Sequence, residues 1–400
     1  MGTAAEEWAP VSTYRRACLA LFAAGVATFA LLYSTQALLP ELSAAFGVTP
    51  AQSSWSLSAA TLGLGVALLI TGPLSERFGR TPLIHLSLGL SAVVGLACAL
   101  APNWPVLLGL RLLQGVTLAG LPAVATAYLR EELPANTHAR AAGLYIGGTA
   151  LGGMSGRLIS AAVAEAYGWR WGLASVAVVG LVCAALVLAL LPASRNFAAR
   201  PASTMSRRAF TDPALLSLYG IGALSMGAFV AVYNAMGFRL TSAPFLLGAG
   251  AAGLVFLVYP AGTISSTVSG RLADRFGRRA VMPFGCLLTA AGLLLTLPDN
   301  LVATVAGLAV MTAGFFCVHG VASGWVPVRA HNGGVPAAQA ASLYLFAYYA
   351  GSSLFGNLAG TAWSHGAWPS VVLLAALCVL ASGVLALSLR RIPLLIPQRS

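Results

Sequence analysis

Two arginines set inside long apolar stretches are the residues of this chain best placed to do chemistry. Arg111 lies in LLGLRLLQG (107–115) and Arg157 in LGGMSGRLIS (151–160). An arginine in the middle of a membrane helix costs about 2.5–3.5 kcal/mol on insertion scales, so such a charge is usually kept for a cavity or a partner. Counting helical rise puts both about 8 Å outside the midplane, at one depth on consecutive helices. Gln114 follows Arg111 by one turn on the same face. Tyr33, Gln36, Tyr233 and Asn234 fall in the same half of their own stretches. Together these residues are expected to line a polar cavity. No acidic residue lies deep in any stretch, and Glu41 is the nearest. The buried field is therefore positive and favours an anionic or zwitterionic ligand.

His319 is the one histidine deep in an apolar stretch. An imidazole titrates near physiological pH and could carry a proton, with Glu41 as the next candidate; a structural, hydrogen-bonded histidine is the competing reading. Tyr344 and Tyr348 share a helix face with Gly351 and Phe355, where they either stack on a ligand or pack. Gly148, Gly152 and Gly156 repeat every four residues, a small face that lets a second helix come close.

The elements that must position these groups follow from composition. The 400 residues are 58% hydrophobic and 8% charged, whereas soluble domains run near 25% charged. Apolar runs of about 20 residues recur, the length a helix needs to cross a bilayer core of about 30 Å. They lack the alternation of barrel strands, so an all-α membrane protein is expected. Twelve transmembrane helices are predicted at 17–39, 52–72, 82–101, 106–127, 141–163, 170–191, 214–236, 247–269, 280–297, 302–326, 339–361 and 369–389. The stretch 193–213, rich in Pro, Ser and Arg, reads as a linker between an N-terminal half (1–192) and a C-terminal half (214–400).

A net charge of +12 invites a nucleic-acid reading, and placement excludes it. Every basic residue is an arginine. Arg111 and Arg157 sit inside helices, Arg170 and Arg239 in loops on one side, and the other 18 of the 22 on the opposite side. That bias is the positive-inside pattern and places both termini in the cytoplasm. Without lysine there is no P-loop ATPase and no Schiff base. The metalloprotease and serine-hydrolase signatures HExxH and GxSxG are absent, so no enzyme is expected. A passive pore would want rings of repeated polar residues, which the spans do not offer. The six cysteines lie in apolar runs with no CxxC pair and read as buried fillers; no metal and no cofactor are expected.

Internal repetition gives the sharpest signal. GPLSERFGRTPLI (72–84) and GRLADRFGRRAVM (270–282) stand 198 residues apart. Gly72, Glu76, Arg77, Gly79 and Arg80 recur as Gly270, Asp274, Arg275, Gly277 and Arg278, each time after the second helix of a half. Duplicate six-helix halves about an axis along the membrane normal are a secondary-transporter architecture. The glycines permit tight turns. The acids can sit against a helix N-terminus, and the arginines can bridge to the facing half, so the motif is expected to gate the cytoplasmic side.

At these residues the chain resembles the major facilitator superfamily, whose loop signature runs G-x-L-a-D-r-x-G-r-r. Within it, the YnfM-type (acriflavine-sensitivity) branch of bacterial inner-membrane transporters is most similar, through residues 20–40, 143–160, 313–325 and 341–353. RLLQG (111–115) resembles the fourth-helix motif R-x-x-q-G. The resemblance implies proton-coupled transport of a small organic solute, often outward, by a monomer in the bacterial inner membrane. It also keeps open a proton-driven exporter of cationic or neutral drugs, in opposition to the cavity charge. The chain departs from the pattern at Glu76, where the family usually has Asp, and at 152–157, where the antiporter motif's proline is missing.

Overall fold

The computed structural model describes residues 11–196 and 205–393. Residues 197–204 of the expected linker and both chain ends, with Arg200 and Arg399, lie outside the described residues.

Ten helices among the described residues are long and apolar enough to cross a membrane. One of these, Ala337–Ser388, is two helices joined at Gly366 and Ala367, whose backbone angles are not helical. His138–Tyr167 adds another helix of 30 residues, made less apolar by its glycines and Arg157. The spans thus number twelve. They are α1 (Val11–Tyr33, continued by Leu39–Phe46), α2 (Pro50–Phe78), α3 (Arg80–Ala99), α4 (Trp104–Glu132), α5 (His138–Tyr167) and α6 (Trp169–Leu190). The second set is α7 (Pro213–Thr241), α8 (Ala249–Phe276), α9 (Arg278–Leu295), α10 (Leu301–Asn332), α11 (337–365) and α12 (368–388). Large apolar side chains point outward all round, Leu287 at 70% exposure among them. Water would not tolerate such a surface, and lipid does.

Local chemistry fixes the ends of the helices. Thr49 caps α2 in a reciprocal box with Gln52, and Asn103 and Asn300 accept from the third residue of α4 and α10. Asp212 caps α7 by accepting from Ala214 N (3.0 Å) and Leu215 N (2.9 Å). Burial would raise the Asp212 carboxyl, but the hydrogen bonds from Arg329 and from these two amides outweigh it and hold it below the ordinary carboxylate range. The duplicated motif turns at Gly79 (φ 91°) and Gly277 (φ 85°), both in the region that an L side chain avoids.

Packing follows the small faces. A Cβ at Gly148, Gly152 or Gly156 would come within 2.6 Å of the α1 backbone at Phe22, Val26 or Ala30. In lipid, where burial gives helices little reason to associate, such close backbone approach is the main source of cohesion. α1 packs on α5 and α6, α2 on α4, α7 on α11, and α9 on α10. The two sets meet mainly through α2 with α11 and α5 with α8.

Most arginines lie at one end of this bundle, and the side-chain hydrogen bonds that join the two sets among the described residues lie toward the other end. Gln36 Nε2 donates to Asn234 Oδ1 at 2.7 Å, and the Ser353 hydroxyl meets Thr61 Oγ1 at 2.8 Å and Ser58 O at 3.1 Å. At that far end a Cβ on Gly360 would lie 2.4 Å from Ala51 Cα, and one on Gly248 would lie 2.1 Å from Glu165 Oε1. The bundle is zipped at the arginine-poor end.

Candidate functional site

The helices that carry the predicted polar residues are broken where those residues act. α1 stops at Tyr33, passes through a short 3-10 turn at Gln36–Leu38 and resumes at Leu39. The break frees backbone carbonyls that the helix would otherwise use, and buried carbonyls need donors. Arg111 supplies them. Its Nη1 donates to Leu31 O (3.0 Å), its Nη2 to Leu32 O (2.6 Å) and its Nε to Ser56 O (2.8 Å) of α2. Gln114 accepts from the same guanidinium and donates to Ser91 O at 3.1 Å. Arg111 has 0% exposure and Gln114 1%. This corrects the expectation that the pair lines a cavity: both are spent inside the N-terminal bundle, holding the broken α1 to α2, α3 and α4.

Arg157 sits on the other side of the same break and is held differently. Its Nε donates to Gln36 Oε1 at 2.6 Å, and Nη1 donates to Gly153 O within its own helix. Among the described residues, Nη2 has no hydrogen-bond partner and no carboxylate pairs with the guanidinium. Three rings surround it, with centroids 4.1 Å away at Tyr33, 4.7 Å at Tyr259 and 4.9 Å at Phe256. Tyr33 comes from α1, and Phe256 and Tyr259 from the broken start of α8. Gln36 relays the contact onward to Asn234, which also donates to Gly356 O at 3.2 Å. Both arginines bear on the break in α1, but only Arg157 contacts residues of the second helix set.

Aromatic contacts run from this point toward the arginine-rich end. Tyr259 meets Phe229 (5.8 Å), Phe229 stacks on Phe315 (4.1 Å), and Phe315 stacks on His319 (5.7 Å). Tyr233 stacks on Phe256 and shares a hydrogen bond with Thr312 at 2.8 Å. His319 Nδ1 bonds the Tyr344 hydroxyl at 2.9 Å and its ring lies 4.7 Å from Tyr348. Tyr344 is buried, whereas His319 and Tyr348 are half-exposed. Glu41 is half-exposed and helps line a cavity of about 30 Å³ at the far end, together with Gln36 and Tyr233.

The duplicated motif is built unequally. Arg80 is buried and paired with Glu131 of α4 at 2.8 Å, and Glu76 is half-exposed. Arg77 is exposed, as are Gly270, Asp274, Arg275 and Gly277 in the second copy. Arg239, expected in a loop, is instead buried at the end of α7, donating to Thr296 O and to Pro298 O.

Comparisons with known proteins agree with this architecture. Residues 18–268 match the Major Facilitator Superfamily. The chain belongs to the Major Facilitator Superfamily. As a member of that superfamily it is a multi-pass membrane transporter and not an enzyme. It is 41% identical over 365 residues to the inner membrane transport protein YnfM of Escherichia coli (strain K12), covering 90% of this chain and 86% of that one. It is 40% identical, over 90% of this chain and 89% of the relative, to the uncharacterized MFS-type transporter YybF of Bacillus subtilis (strain 168). Among solved structures, a bacterial homologue of the human lysosomal transporter Spinster superposes with a TM-score of 0.77 at 16% identity, covering 96% of this chain and 98% of that one. At that identity the likeness speaks to the facilitator fold alone.

Several residues at this facilitator's site escaped sequence reasoning. Phe229, Phe256, Tyr259 and Phe315 lie among many apolar neighbours and stand out only once folded. The Gln36–Asn234 bond was within reach: the two positions are 198 residues apart, the offset of the loop motif.

Proposed function

We propose that the chain is a secondary active transporter that alternates access between its two six-helix halves, with its arginine-rich face and both termini in the cytoplasm of a bacterial cell. Eighteen arginines on one face support that orientation. The zipped arginine-poor end supports a state open toward the cytoplasm, in which Gln36–Asn234 and Thr61–Ser353 hold the outer side shut. The substrate is a small organic anion or zwitterion. The observation that carries this reading is Arg157, buried at 1% exposure at the interface with, among the described residues, no acid beside it and its Nη2 unspent. Its charge is least costly when a ligand carboxylate or phosphate meets it. Outward transport coupled to protons is supported by the resemblance to the acriflavine-sensitivity branch. The alternative, an exporter of cationic or neutral amphiphiles, draws support from the density of rings around Phe229, Phe315 and Tyr348.

Alternation is tested by distance. Spin labels at Asn136, in the turn between α4 and α5, and at His331, exposed in the last turn of α10, are expected to show a long distance in the resting protein and a second, shorter one when substrate or a pH change is applied. Asp274→Asn should shift the ratio of the two populations, because the exposed motif acid engages the facing half only when that face closes. A single unchanging distance in both proteins would reject alternation and the gating role together.

Proton coupling is assigned to His319, the titratable group that sits on the ring path between Arg157 and the arginine-rich face. His319→Gln keeps a hydrogen bond to Tyr344 within reach and removes the titration. In proteoliposomes the variant is expected to exchange substrate at near wild-type rate and to lose accumulation driven by a pH gradient. Undiminished gradient-driven accumulation would move the proton site to Glu41.

A further inference from the structure

The two copies of the loop motif rest on differently built floors. In the N-terminal half Arg80 donates to both oxygens of Glu131, at 2.8 and 3.1 Å. Its neighbour Thr81 is hydrogen-bonded to Pro192 O (3.3 Å) and Ser194 Oγ (3.0 Å), which ties the end of α6 to the start of α3. The offset of 198 carries these positions to Arg278, Arg329, Arg279, Arg390 and Ile392. The clasp is preserved: Arg279 donates to Arg390 O at 3.4 Å and to Ile392 O. The ion pair is not. Where the first half has an arginine and a glutamate, the second has two arginines.

Arg329 finds its acid elsewhere. It takes both oxygens of Asp212, with Nη2 to Oδ2 at 2.7 Å and Nε to Oδ1 at 3.1 Å, and the matching position in the first half is Tyr14. Among the described residues Arg278 makes no hydrogen bond or ion pair, and the buried Nε of Arg279 has no partner. Arg278 and Arg329, at the positions that Arg80 and Glu131 hold in the first half, line a cavity of about 450 Å³. Arg278, Arg279 and Arg329 line it with Trp325, Val328 and Leu389, and among the described residues no carboxylate does. α9, a helix of 18 residues, begins at its edge with no side-chain cap, so its positive end adds to the field.

We propose that this cavity binds the phosphate group of an anionic membrane lipid, which supplies the negative charge that Glu131 supplies in the first half. Arginine clusters on the cytoplasmic side of membrane helices suit phosphate headgroups. A lipid rather than a free phosphate is favoured by the walls: Phe276 and Val328 are 61% and 41% exposed and offer an apolar surface on which an acyl chain can lie, with the buried Trp325 and Leu389 behind them. The site lies at the arginine-rich end of the C-terminal bundle, apart from Arg157 and its rings, and does not depend on which solute is carried.

The test uses the full chain in nanodiscs of phosphatidylcholine, with or without phosphatidylglycerol, and reads retained lipid by native mass spectrometry and the unfolding temperature. The wild type is expected to retain phosphatidylglycerol over phosphatidylcholine by at least about tenfold, given the attraction of each arginine for an anionic headgroup. Arg278→Gln combined with Arg279→Gln should abolish the preference, and Arg275→Gln, exposed and outside the cavity wall, should keep it. Val328→Glu places a carboxylate in the wall and should lose the preference while keeping its unfolding temperature in phosphatidylcholine, which decides the matter even if the double variant folds poorly. Equal retention of the two lipids by the wild type overturns the proposal. So does displacement of the lipid by millimolar inorganic phosphate that raises the unfolding temperature as far as phosphatidylglycerol does, since the cavity would then be a soluble-phosphate site.

Discussion

Arg111→Gln is expected to destabilise the N-terminal bundle before it affects transport. The guanidinium serves Leu31 O, Leu32 O and Ser56 O from inside the bundle, and a glutamine amide can reach one of these carbonyls at most. Each buried group left without a partner costs about 1–3 kcal/mol, so with two carbonyls left over the loss should be at least about 2 kcal/mol. Thermal unfolding in detergent and the yield of monodisperse protein read it directly. Arg111→Lys should fall between, because an ammonium has three donors but not the planar fork that spans α1 and α2. Substrate affinity of whatever folded Arg111→Gln protein remains should be unchanged. A well-folded variant with weakened substrate binding would instead return Arg111 to the cavity.

Arg157→Gln is expected to give the opposite profile, a protein of near-normal stability with impaired recognition. The side chain spends two of its nitrogens on Gln36 and Gly153, and Nη2 has no hydrogen-bond partner among the described residues. Losing a hydrogen bond to a charged group costs at least about 1.5 kcal/mol, close to tenfold in affinity for an anionic substrate. Arg157→Lys should recover part of that loss. The rings add a second signature. Tyr33, Phe256 and Tyr259 are occupied by the protein's own cation, and emptying that cage leaves a site of about 0.5–2 kcal/mol for an external one. Titration of wild type and both variants with one anionic and one quaternary-ammonium ligand separates the two readings. Strong cation binding by the wild type, unaltered in Arg157→Gln, would sink the anion reading and leave the drug-exporter alternative.

The contrast between these two arginines shows what could be read before folding. Both were recognisable as costly charges at one depth, because insertion energetics depend on residue type and position along a helix. Which of them reaches the interface depends on the rotation of α4 and α5 about their axes and on the break in α1, and both are set by packing across helices. A helix that is apolar on nearly every side carries little periodic signal for its rotation, so the sequence could not separate a carbonyl clamp from a ligand contact.

The twelve spans, their orientation bias and the duplicated motif were legible because they rest on local quantities: run length against bilayer thickness, arginine placement, and identity at a fixed offset. The same offset held the Gln36–Asn234 bond and the substitution of Arg329 at the position of Glu131, both visible in the sequence once the halves are aligned. Tertiary structure alone decided that one floor is an ion pair and the other a cavity. An arginine without its acid must find another anion, and only the fold shows that Asp212 satisfies Arg329 while Arg278 has no partner among the described residues.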